Sequence, residues 1–182
     1  MLRWLIKKIF KGKSPWLLSY IPPVAGILLC YINFSMHRYY GDMISNMISL
    51  SATLIGALIG ITINLRHFVN TLQKPYQSSN LHVALGSVFA TVILFAAIYS
   101  VIYLYVPNSF VGLNGNTALD ECVNVLYFSA ATFTTVGYGD IYPVASIAKV
   151  FVSIEMMAFF VFFVILIGNH KVFIKPKENQ PE

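Results

Sequence analysis

The sequence predicts an all-α membrane protein with four spanning helices and one shorter helix that enters the membrane without crossing it. Two observations carry that expectation. Of 182 residues, 57% are hydrophobic and only 10% charged, whereas an average soluble domain carries about 25% charged residues. Apolar runs also recur at the length that about 30 Å of hydrocarbon demands at 1.5 Å per residue. The net charge of +5 is compatible with a nucleic-acid partner. The basic residues sit between and beside apolar runs, however, which is how membrane topology is set, so lipid is the expected surroundings and nucleic acid is not a partner.

In chain order, residues 1–13 read as an amphipathic helix lying in the membrane interface. Leu2, Leu5, Ile6, Ile9 and Phe10 share one face, and Arg3, Lys7, Lys8 and Lys11 the other, with Trp4 near the headgroups. A positive flank that only sets topology is the plainer alternative. Residues 16–80 form a two-helix membrane segment and linker. The first span, 16–36, has Pro22 and Pro23 near its inner end, where they kink the helix or delay its start. Trp16, Tyr39 and Tyr40 are interface anchors, and Gly41-Asp42 an outer turn. The second span, 43–65, carries Ala52, Gly56 and Gly60 at every fourth residue, a small-residue stripe that permits close helix approach. Arg66 and His67 end it, and Lys74-Pro75 breaks the polar linker.

The third span, 81–106, ends at Pro107-Asn108, and a Gly/Asn-rich loop follows at 111–118. Asp120 and Glu121 then open a helix to about Phe133, where acids oppose the positive end of the dipole. That helix is too short to span and so has to be re-entrant and buried in protein. The fourth span is 146–168, and residues 171–182 are a short tail. Cys30 lies within an apolar run and Cys122 near the outer loop. They are expected at different depths and unpaired. No cleavable leader is apparent before the first apolar stretch.

The motif that carries chemistry is the run Tyr127-Phe128-Ser129-Ala130-Ala131-Thr132-Phe133-Thr134-Thr135-Val136-Gly137-Tyr138-Gly139-Asp140-Ile141-Tyr142-Pro143. Within it Thr135 to Gly139 read TVGYG, the run that defines the filter of potassium channels. Over residues 81–170 the chain resembles the pore module of the tetrameric potassium channel superfamily. The physical demand is clear. A dehydrated K⁺ has to meet oxygens that replace its water, and successive inward carbonyls need backbone angles that Gly137 and Gly139 adopt without a Cβ clash. Thr135 adds a hydroxyl oxygen at the inner end of the row.

The resemblance implies a homotetramer of this chain with three further copies, conducting K⁺ as a permeant ion and needing no organic cofactor. K⁺ would meet Thr135, Val136, Gly137, Tyr138 and Gly139. Thr134 and the aromatic collar of Tyr127, Phe128 and Tyr138 would support the filter, and Asp140 would stand at the outer mouth, as an acidic ring or as a structural hydrogen-bond acceptor. The fourth span resembles the pore-lining helix. Phe160, Phe163 or Val164, Ile167 and Lys171 recur on it at helical spacing and are candidates for an apolar gate. The glycine hinge of many family members falls here on Phe159, and the nearest glycine is Gly168, which puts bending at mid-helix in doubt. Glu155 is the one acid within a span. It has to be paired or protonated, with a structural bond behind the filter ahead of proton sensing.

The filter loop opens outward, so both termini fall in the cytoplasm of a plasma or inner membrane. The basic residues agree. Arg3, Lys7, Lys8, Lys11, Lys13, Arg66, Lys74, Lys171, Lys175 and Lys177 fall inside, and Arg38 and Lys149 outside. No segment repeats arginine every third residue, so the usual voltage-sensing helix is absent. His37, His67, His82 and His170 lie near membrane edges without a pattern that marks a pH sensor. The short tail leaves no room within this sequence for a ligand-binding cytoplasmic domain. Two other readings stand beside the selective channel: a non-selective cation channel, and a regulatory membrane subunit that co-assembles with other pore chains. A K⁺-uptake transporter would need four linked pore repeats, and one is present.

Overall fold

The computed structural model describes residues 21–40, 43–73 and 78–169. The expected interfacial helix at 1–13, the Gly41-Asp42 turn, Lys74-Pro75 and the tail at 171–182 lie outside the described residues. The order of elements is α1 (Ile21–Tyr40), α2 (Met43–Leu72), α3 (Ser78–Tyr105), β1 (Phe110–Val111), α4 (Ala118–Phe133), β2 (Tyr142–Pro143) and α5 (Ser146–Gly168). The protein is an all-α membrane protein. The one ladder among the described residues is two residues long, pairing Phe110 with Pro143 and Val111 with Tyr142.

Among the described residues three helices are long and apolar enough to cross a membrane: residues 51–72 of α2, residues 80–105 of α3, and α5. The expected first span at 16–36 is described only from Ile21. Its helix runs further than expected, to Tyr40, and carries Asn33, His37 and Arg38, which lower its apolar character. Helix α2 also runs past Arg66 and His67, to Leu72. Charged and polar residues end a membrane run without ending a helix, because Arg, Asn and His cost the helix only tenths of a kcal/mol.

Helix α3 is the hub. Ala90, Leu94, Ala96, Ala97, Tyr99 and Ser100 are all buried, and α1, α2 and α4 each pack along it. Its neighbours come close because small residues let them. A Cβ on Gly26 of α1 would lie 2.6 Å from Ile93, and one on Gly60 of α2 would lie 2.9 Å from Leu94. The small-residue stripe of α2 is only partly the docking face. Gly56 meets Leu29 of α1, but Ala52 is exposed, and the buried line is instead Thr53, Ala57, Gly60, Asn64, Phe68 and Thr71, at three- and four-residue steps.

Polar side chains fasten the helices where lipid offers no partner. Thr53 of α2 donates to the Asn33 amide oxygen at 2.8 Å, and the Asn33 amide nitrogen donates to Ser100 of α3 at 3.1 Å. Deeper, the Asn64 amide donates to the Ser87 carbonyl at 3.0 Å. Edge-to-face contacts among Tyr99, Phe110 and Phe128, at 5.2–5.7 Å between centroids, join α3, β1 and α4, each worth about 0.5–1.5 kcal/mol beyond area burial.

The two cysteines correct an expectation. Cys30 of α1 and Cys122 of α4 are both buried and unbonded, but they share one hydrophobic cluster. The short helix re-enters beside α1, so a residue close to the outer loop in sequence sinks to the level of the middle of α1.

Candidate filter and pore helix

Helix α4 begins with a capping box. The Thr117 hydroxyl accepts from the Asp120 backbone N–H at 3.1 Å, and the Asp120 carboxylate accepts from the Thr117 N–H at 3.0 Å. Two orphan donors are thereby satisfied. Glu121, the second acid of that turn, pairs with Arg38 of α1 at 3.1 Å. The Arg38 guanidinium also donates to the carbonyls of Asn116 and Gly115. The C-terminal end of α1 thus holds the loop that launches α4. The sequence names Asp120 and Glu121 as dipole partners; their cap and ion pair were legible only in part, through the Thr-x-x-Asp spacing.

The other end of α4 passes directly into the TVGYG run. The Thr134 N–H and hydroxyl both donate to the Ala130 carbonyl, Thr135 N–H donates to Thr132, and the N–H groups of Val136 and Gly137 donate to Ala131. The carbonyls that end the helix, free in an ordinary terminus, are here spent on holding the start of the run.

Backbone angles alternate through the run. Thr135, Gly137 and Gly139 take positive φ of 59°, 54° and 81°. The glycines were expected to do so, and a Cβ on either would meet nothing within 4 Å, so conformation and not space requires them. Thr135 was not expected. For a β-branched residue this region is a genuine outlier, costing about 1–3 kcal/mol, and the hydrogen bonds to the end of α4 hold it there. All of Thr134 to Asp140 are exposed in the single chain.

The expected collar divides. Tyr127 stacks on Tyr138, with centroids 5.9 Å apart and planes within 9°, and its hydroxyl donates to Asp140 Oδ2 at 2.8 Å. Asp140 Oδ1 accepts from the Ile141 N–H. Both carboxylate oxygens of Asp140 are therefore engaged, as its structural reading requires. Phe128 turns the other way, into the cluster with Tyr99 and Phe110, because successive residues of a helix lie about 100° apart and only one of an adjacent pair can face the run. A residue the sequence reading missed is Gly112. Its φ is +84°, and a Cβ there would lie 2.1 Å from the Asp140 carbonyl oxygen, so the loop at 111–118 closes on the end of the run only through a glycine.

Helix α5 runs beneath. Phe133, at the foot of α4, packs edge-on against Phe159 at 5.6 Å, and Phe162 reaches Phe68 of α2 at 4.9 Å. Phe159, at the hinge position, is thus seated against α4, and α5 is continuous through it. The candidate gate residues Phe160, Phe163 and Ile167 are exposed, with Phe160 edge-on to Phe159 and Phe163 stacked on it; Lys171 lies outside the described residues. Glu155 is fully buried. Tyr99 of α3 donates to its Oε2 at 2.6 Å, and its Oε1 meets the hydroxyl of Ser129 on α4.

A re-entrant helix that ends in a strained, glycine-bearing run, with a long apolar helix under it, is the arrangement of a pore-loop protein. Residues 87–175 match the family model described as "Ion channel". The chain is also similar to the voltage-gated potassium channel Kch of Escherichia coli (strain K12), 30% identical over 147 residues that make up 79% of this chain and 29% of that protein. The chain spans under a third of the length of that relative. No solved structure matches it. Both comparisons support the resemblance to a pore subunit of the potassium channel superfamily.

Proposed function

We propose that this chain is a subunit of a homotetrameric, K⁺-selective channel, in which four copies set their TVGYG runs around one axis and conduct K⁺ passively. The observation that supports this most is the alternation of positive φ at Thr135, Gly137 and Gly139, because such a backbone is costly and a row of ion-facing oxygens is what it is good for. In this reading K⁺ meets oxygens of Thr135, Val136, Gly137, Tyr138 and Gly139. Thr134, the Tyr127–Tyr138 stack and Asp140 hold the run in place. Phe128 supports it indirectly, from the core. The bare run and the apolar surface of α5 are what further copies would cover. Four spans, with α1 as the first, put both termini in the cytoplasm and agree with the distribution of basic residues. Phe160, Phe163 and Ile167 are the gate candidates. The protein transports ions and catalyses no reaction. The voltage gating in the relative's name is not carried over, since no arginine repeat stands in this sequence.

The test is single-channel recording of the purified chain in a bilayer under opposed K⁺ and Na⁺ gradients. A reversal potential close to the K⁺ equilibrium value is expected. Reversal near zero would establish the non-selective alternative, and a folded chain that forms no homotetramer would favour a regulatory subunit.

A further inference from the structure

Glu155 is 0% exposed on the inner helix α5, and its carboxyl group touches two other elements. A proton count decides its state. The Ser129 hydroxyl has one proton, yet its oxygen lies within hydrogen-bonding distance of two oxygens, the Val92 carbonyl at 2.7 Å and Glu155 Oε1. A carbonyl can only accept. If the Ser129 proton goes to Val92, Oε1 has to supply the proton of the second contact. If Glu155 were ionised, one of the two contacts would set oxygen lone pairs against each other with no proton between them. Tyr99, 0% exposed, donates to the remaining oxygen, Oε2, at 2.6 Å. The neutral acid satisfies every group once: Tyr99 to Glu155, Glu155 to Ser129, Ser129 to Val92. The titratable group facing Glu155 from α3 is Tyr99, and the partner from α4 is the hydroxyl of Ser129. Neither supplies the positive charge that a buried carboxylate needs.

From this relay we infer that Glu155 is a positioning residue, a neutral carboxylic acid that clasps the inner helix α5 to the pore helix α4 and to α3 behind the filter. Ser129 lies on the same helix whose last carbonyls, those of Ala130, Ala131 and Thr132, hold Thr134 to Gly137. The clasp therefore sets how α4 stands on α5, and through α4 the seat of the strained run. Its proton is structural, and an amide can replace it: Gln offers an N–H to Ser129 and a carbonyl to Tyr99, the same pattern as the neutral acid. The consequence for the filter rests on the channel reading; the protonation state does not.

The test uses the full chain in lipid nanodiscs at neutral pH. The infrared difference spectrum of wild type minus Glu155→Gln should show the carbonyl stretch of a protonated carboxylic acid, shifted in D₂O. Ser129→Ala, which keeps Glu155 but removes its acceptor, should move that band without abolishing it. In recordings Glu155→Gln should keep the wild-type K⁺/Na⁺ reversal potential, with open probability within about twofold, as expected when one hydrogen bond replaces another of similar strength. Glu155→Ala should lose both. A carboxylate signature in place of the acid band, or Glu155→Gln as impaired as Glu155→Ala, would overturn the inference. If the protein conducts nothing, the infrared result still decides the protonation state, so failure of the clasp and failure of the channel reading are told apart.

Discussion

Helices α3 and α5 are alike in sequence and opposite in situation. Both are long, apolar and able to cross a membrane. Along α3, side chain after side chain is buried by α1, α2 and α4. Along α5, Ala148 and Glu155 alone are buried, while Val150, Ile154, Met157, Phe160, Phe163, Val164 and Ile167 stand exposed. Hydropathy cannot separate the two, because it measures what a helix avoids and not what covers it. The difference teaches that the single chain is finished, that is enclosed by its own helices, on one side and unfinished, that is left bare by them, on the other. The finished side is the attachment of α1 and α2 to α3, through glycines and buried amides. The unfinished side is the TVGYG run and α5. The N-terminal pair thus has a visible role: it encloses α3 and, through Arg38, holds the loop that starts the pore helix.

The sharpest way to break this comparison is at the unfinished side. Gly137→Ala places a Cβ at a φ of +54°, costing about 1–2 kcal/mol in each copy with nothing to collide with. Loss of the K⁺ preference in reversal-potential measurements is expected, with helix content and oligomeric state unchanged. Unchanged selectivity would mean that the alternating backbone is not what reads the ion.

A second test sets the two helices against each other. Ala97→Leu on α3 forces methyl groups into a filled core, and a fall in protomer stability of about 1–3 kcal/mol is expected in thermal melts. Phe163→Ala on α5 should leave the protomer's melt within about 0.5 kcal/mol, as for other uncovered positions, while lowering the fraction of oligomer seen by native mass spectrometry. Equal losses of protomer stability would erase the distinction drawn between α3 and α5.

The smallest effect lies in the finished side. Asn33→Leu removes the bridge between Thr53 and Ser100. Interhelical hydrogen bonds in membranes average about 0.6 kcal/mol, so a small drop in denaturation midpoint is expected, with α1 still bound. Detachment of α1 would show that the amide, and not the Gly26 contact, joins it to α3.

Much of this was readable beforehand because lipid makes local sequence decisive. The backbone has to satisfy itself, so apolar runs become helices, and the short run 118–133 becomes a re-entrant helix for the same reason. The positive φ of Gly137 and Gly139 follows from residue type. What local sequence could not reveal depends on neighbours distant in the chain. Thr135 adopts a costly φ only because the end of α4 holds it. Phe128 and Tyr127, adjacent in sequence and both aromatic, part company because α3 and β1 offer one of them a core. Cys30 and Cys122 meet because α4 sinks beside α1. Gly112 matters only once Asp140 is folded against it. By itself, then, the sequence determined the membrane class, the place of each described helix in the chain and the TVGYG run, all set by residue chemistry within a few turns. The tertiary structure alone decided which apolar helix is enclosed and which is left bare, and that Glu155 has hydroxyl partners from two other helices, since both depend on surfaces that meet only after the chain has folded.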